Sequence, residues 1–139
     1  MKNISGIIAG LIAGFIVVFL VENAGHSFYP AAENIEFGDK EALKKMIDNL
    51  PAGALLVVIF AYACGSFAAG LVCALISSKN KKENSIITGM ILLILGLINL
   101  FTVPHPVWFW ILNIIVYLPF AYLGVKLVEK IKPEISASV

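Results

Sequence analysis

Arginine is absent from this chain; all ten of its cations are lysine. Histidine occurs twice, as His26 and His105, and cysteine twice, as Cys64 and Cys73. Charged residues fill 14% of the 139 positions, against about 25% in a typical soluble domain. Each shortage excludes something. A chain this poor in charge cannot clothe its own surface in polar groups, so lipid is its expected solvent. A net charge of +1 without a basic stripe leaves no case for a nucleic-acid partner. The two cysteines share one apolar run at a spacing that points them to roughly opposite sides of a helix. They cannot pair with each other there, and they read as small apolar fillers. No phosphate loop, nucleophile elbow, Cys-x-x-Cys pair or lipidation signal occurs.

What the chain does have is apolar length. Hydrophobic residues make up 60% of it, and its mean hydropathy is +0.93. Four runs, at roughly 4–24, 52–77, 86–103 and 107–125, approach or exceed the ~20 apolar residues a transmembrane helix needs. The first, apolar from Ile4 to Val21, is long for a signal peptide. Glu22-Asn23-Ala24 after it lacks the small-x-small cleavage pattern, so it reads as a retained span.

Between the first two runs lies a polar interlude. His26-Ser27-Phe28-Tyr29-Pro30 reads as an interfacial turn. Residues 39–50 read as a short amphipathic helix capped by Asp39, with Ala42, Leu43, Met46, Ile47 and Leu50 on one side. Ser78 to Ser85 reads as a polar hairpin. Pro104-His105-Pro106 breaks the chain again, and Pro119 is expected to kink the last span. The fold class expected is all-α, a single domain. It is a four-transmembrane-helix bundle of two helical hairpins, with a short surface helix between spans 1 and 2.

Gly6, Gly10 and Gly14 recur every four residues, and the row continues through Val18, Glu22 and His26. Small residues at this spacing let helix backbones approach closely in lipid. Ala61, Gly65 and Ala69 form a second such row and are its natural partner.

Lysine sets the expected orientation. Lys2, Lys79, Lys81, Lys82, Lys126, Lys130 and Lys132 fall on one side, so both termini are expected in the cytoplasm of a multi-pass protein of the cell membrane. Glu22, Asn23, His26, Tyr29, Asn99 and His105 then gather at the outer surface, with Trp108 beside them as part of an aromatic belt. Ionisable groups at such depths are costly and usually have partners.

Three readings of this set stand open. In one, Glu22 and a histidine clasp two helix ends together. In another, the cluster binds or moves a small polar solute, a proton or an ion at the bundle mouth. In the last, Glu22, His26 and His105 coordinate zinc in a metal-dependent membrane enzyme. Besides lipid, the expected partners are further copies of the chain or another membrane subunit, since four short spans rarely enclose a path alone. A structural or assembly subunit is the alternative role.

The runs Val21-Glu22-Asn23-Ala24-Gly25-His26-Ser27-Phe28-Tyr29-Pro30 and Pro104-His105-Pro106-Val107-Trp108-Phe109 resemble those of small bacterial four-span membrane proteins without an assigned function. Leu50-Pro51-Ala52-Gly53-Ala54 and Gly65-Ser66-Phe67-Ala68-Ala69-Gly70 fit the same group. The resemblance implies a membrane protein of this size. It carries no activity, cofactor or catalytic residue with it.

Overall fold

Five helices and no strand make up the described residues, 2–30 and 39–131 of the computed structural model. They are α1 (Lys2–Phe28), α2 (Lys40–Asn49), α3 (Ala52–Ile76), α4 (Lys81–Thr102) and α5 (Val107–Ile131). Helices α1, α3, α4 and α5 are long and apolar enough to cross a membrane. Their 22 to 27 residues correspond to about 33–40 Å of helix, against a hydrocarbon core of about 30 Å. Lys132 lies outside the described residues.

The helix ends follow local chemistry. The Asp39 carboxylate caps α2, accepting from the Glu41 amide at 3.1 Å and the Ala42 amide at 3.0 Å. Asn80, at φ 50°, takes the left-handed turn that reverses the chain between α3 and α4. Val103 is extended, as its place before Pro104 requires.

Three expected boundaries are corrected. Helix α1 continues through His26 to Phe28, so the turn begins only at Tyr29. Helix α4 begins at Lys81 and absorbs most of the expected hairpin. Helix α5 runs unbroken through Pro119 to Ile131, past residue 125. One cause covers all three. Hydropathy marks where apolar side chains stop, whereas a helix stops where its backbone bonds do, and Lys, His and Glu are acceptable helix residues.

Helix α3 is the centre. It lies antiparallel to α1 on one side and parallel to α5 on the other, while α4 packs against both α3 and α5 and meets α1 along part of its length. Helices α1 and α5 do not touch. Two ends can be named from the chain. The proline end holds Pro30, Pro51, Pro104 and Pro106; the lysine end holds Lys2, Lys79, Lys81 and Lys130.

The α1–α3 seam is set by missing side chains. A Cβ on Gly10 would stand 2.6 Å from the Ala69 carbonyl oxygen, and one on Gly14 would stand 3.1 Å from the Gly65 carbonyl. A Cβ on Gly6 would collide with the Ser77 hydroxyl and come to 3.0 Å from the Cys73 carbonyl. The three glycines therefore face Gly65, Ala69, Cys73 and Ser77. Ala61 is fully buried but is not among the nearest atoms to any of them. On the other side of α3, Gly70 and Gly124 leave no room for a Cβ against the backbones of α5 and α3 respectively.

The lysine end is also tied by polar bonds. Ser85 donates to the Gly70 carbonyl at 2.9 Å, and the Asn84 amide donates to the Lys79 carbonyl at 2.9 Å. Asn3 accepts from the Lys79 amide at 3.2 Å, fixing the start of α1 to the α3–α4 turn. Every polar atom satisfied this way removes a desolvation penalty.

Because Gly10 has carbonyl oxygen, not a yielding side chain, in front of it, Gly10→Leu is expected to destabilise the bundle by about 1–3 kcal/mol. Gly10→Ala should act in the same direction with smaller effect, and Ile12→Leu on the exposed face should do almost nothing. Thermal melts in detergent followed by circular dichroism check the order.

Candidate functional site

The row that starts with the glycines does not hold its face. Steps of four residues overrun a 3.6-residue turn by about 40° each. Three such steps carry His26 about 120° beyond Gly14, and His26 is exposed. Gly25, eleven residues on from Gly14, returns to the seam instead and is buried against Val57. Glu22 falls between these extremes. It is half-buried, on the flank of α1.

That flank borders a cavity of about 210 Å³ enclosed by the end of α1, by α2 and by the start of α3. Glu22, His26 and Tyr29 supply its polar edge; Met46, Leu50, Leu55 and Val58 are among its apolar walls. Tyr29 closes one side with its hydroxyl against Gly53. Glu22 and His26 lie one turn apart on the same helix. They form no ion pair, and Glu22 has no hydrogen-bond partner among the described residues.

His105 is elsewhere. Its ring stacks on Phe109, with centroids 4.4 Å apart and planes at 9°. Its Nδ1 lies 2.8 Å from the Val103 carbonyl. A carbonyl only accepts, so Nδ1–H donates, and in the neutral ring the free lone pair is on Nε2. Burial holds this imidazole below its ordinary pKa, partly opposed by the Val103 bond. His105 lines a different cavity, of about 490 Å³, together with Lys40, Glu41 and Lys44 of α2 and Trp110.

The remaining expected residues also separate. Asn23 donates back to the Phe19 carbonyl of its own helix at 2.7 Å. Asn99 is exposed on α4 and lines a third cavity, between α1 and α4. Trp108 meets Phe109 edge-to-face at 6.0 Å and is 38% exposed. The structure thus brings Glu22, His26 and Tyr29 together and leaves Asn23, Asn99, His105 and Trp108 apart from them.

The clasp and the zinc set are corrected on this point. Neither imidazole bonds Glu22, and no three His, Cys, Asp or Glu side chains converge among the described residues. The physical reason is the bundle order. Helices α1 and α5 sit on opposite sides of α3, and His105 turns to Phe109 and the cavity beside α2 while Glu22 lines the cavity towards α3.

Sequence reasoning missed the polar residues inside the spans. Ser66 is fully buried and Asn113 is 1% exposed; the Ser66 hydroxyl and the Asn113 carbonyl oxygen have no partner. Tyr62 and Tyr117 stack with centroids 5.6 Å apart. The signal was present in Asn113 and Tyr117, polar residues one turn apart in an otherwise apolar run. No protein-family model, curated protein or solved structure matches this chain.

The lowered pKa of His105 gives a pH dependence. Once unfolded, the imidazole takes a proton at its ordinary pKa of about 6.5; folded, it does so only at lower pH. Between the two the unfolded chain binds the extra proton, so stability falls as pH falls. Melting temperature should therefore drop between about pH 8 and about pH 5. The drop should be smaller in His105→Phe, which keeps a flat ring on Phe109 without a titratable nitrogen.

Proposed function

We propose that this chain is an integral protein of the cytoplasmic membrane with both termini inside, and that the cleft at Glu22 binds a small cation at the outer face. Helices α1, α3, α4 and α5 are its spans, pairing as two hairpins. Helix α2 rests on the outer surface, its lysines in water and Ile47 turned inward. The clustering of Lys2, Lys79, Lys81, Lys82, Lys126 and Lys130 at one end supports the orientation.

One observation carries the functional reading. The Glu22 carboxyl, at membrane depth and half out of water, lacks an ion pair and a hydrogen bond among the described residues. A carboxylate so placed needs a counter-charge or a proton. The cleft around it is walled mainly by Met46, Leu50, Leu55, Val57 and Val58. Such walls reject a strongly hydrated metal ion and accept a monocation with an apolar body. A substituted ammonium meets both demands: its charge faces Glu22 and its carbon covers the leucines. A proton competes for the same carboxylate, so loading and protonation exclude each other. That exchange is the elementary step of a proton-coupled carrier or of a cation sensor. A path through the membrane requires a second copy beside the first, because Gly6, Gly10 and Gly14 close the α1–α3 seam towards the lysine end.

Titration calorimetry with tetrapropylammonium on the detergent-purified protein tests this. Binding should weaken as pH falls and should drop at least about tenfold in Glu22→Gln, the loss of one desolvated charge pair. Ser27→Ala, exposed and outside the cleft, should change it little. Equal binding by wild type and Glu22→Gln, or none by wild type, refutes the reading. A different membrane protein cross-linked to the chain in native membranes would then favour the assembly-subunit role.

A further inference from the structure

Helices α1 and α4 meet where Gly10 faces Thr88 and Gly14 faces Leu92. Towards the proline end they enclose a groove of about 120 Å³. Phe15 and Val18 of α1 and Leu95 of α4 wall it; Tyr62 and Ser66 of α3 and Tyr117 of α5 lie behind. Phe15 is 51% exposed and Leu95 41%, so its rim belongs to the apolar outer surface of the bundle.

Apart from the exposed amide of Asn99, the groove is apolar at its rim, and it is unsatisfied at its back. Ser66 is fully buried, and its hydroxyl has no hydrogen-bond partner. Helical hydroxyls commonly answer this by donating one turn back. Thr88 and Thr102 do so here, to Asn84 and Ile98, each at 2.8 Å. Ser66 does not. The phenols of Tyr62 and Tyr117 likewise have no hydrogen-bond partner among the described residues, and the Tyr117 hydroxyl lies over Gly96, where a Cβ would displace it. Three residues whose hydroxyls lack partners among the described residues thus line one groove, in a place where water is scarce. No charged side chain lines the groove.

We propose that this groove binds the neutral polar head of a membrane lipid, a glycerol hydroxyl or ester carbonyl, whose acyl chain leaves between Phe15 and Leu95 into the bilayer. Hydroxyls both donate and accept, so they suit a head with an oxygen of either kind. The absence of a lining charge disfavours a phosphate or an ammonium. The open apolar rim suits a chain that stays in lipid. This inference rests on α1 and α4 being membrane spans, and it is independent of the cation site.

The test uses the full chain in phosphatidylcholine vesicles doped with a monoacylglycerol that carries a diazirine beside its ester. After illumination, mass spectrometry maps the label. Label should concentrate on Phe15, Val18, Tyr62 and Leu95 and should be displaced by excess unlabelled monoacylglycerol. Ser66→Ala should cut it about threefold to tenfold, the loss of one hydrogen bond, without lowering the melting temperature, since the hydroxyl it removes is unpaired. Tyr117→Phe should act in the same direction, and Glu22→Gln should leave the label unchanged. Label spread evenly over exposed positions such as Ile8, Leu56 and Ile115 would overturn the groove while supporting the spans. So would groove label indifferent to both Ser66→Ala and Tyr117→Phe. Absence of label from every helix would overturn the spans themselves, and the proposal with them.

Discussion

The nearness of the α1 and α3 backbones is the constraint on which the other contacts depend. It exists because Gly10 and Gly14 offer no Cβ to the carbonyls of Ala69 and Gly65. Helix α3 meets its second neighbour in the same way, through Gly70 against the Ala121 backbone. A helix lined with small residues on two sides is drawn into the centre, because dispersion falls off steeply with any gap. With α3 central, α1 and α5 are held apart, and α4 is left to fill the angle between them.

This order gives the bundle two unlike ends. At the lysine end, Asn3, Ser77, Asn84, Ser85 and Thr88 use their polar groups on one another or on nearby backbone. Towards the proline end, the seam widens into cavities, and Ser66 and Asn113 keep polar atoms without partners. The bonds at the lysine end tie one helix to another, as Ser85 to Gly70 and Lys79 to Asn3. Those towards the proline end, at Asn23, Thr102 and His105, stay within their own segment.

Much of this was legible in the sequence. The four long apolar helices, the Asp39 cap and the glycine row follow from composition and spacing alone. Spacing along one helix could not tell which helix faces which. Glu22, His26 and His105 share an end of the bundle, but a shared end is not a shared site: Glu22 and His26 line one cavity and His105 another. Only packing decides that His105 turns to Phe109 and α2 while Glu22 turns to α3. Ser66 enters the sequence reading only within the run Gly65-Ser66-Phe67-Ala68-Ala69-Gly70, and nothing in that run says that its hydroxyl is buried without a partner beside a groove.

One feature of α1 reaches further than its local contacts. Its small residues repeat every four positions while its backbone turns every 3.6, and the two rhythms slip past each other along the helix. Contact persists while the slip is small and fails once it has grown. The number of repeats therefore acts as a ruler, setting how far below the membrane surface the seam gives way to open space. A relative with one more glycine in the row would carry a shallower cleft, and one with a glycine fewer a deeper one. Cleft depth in this architecture is thus written in a count of hydrogen atoms, those that stand where side chains are missing.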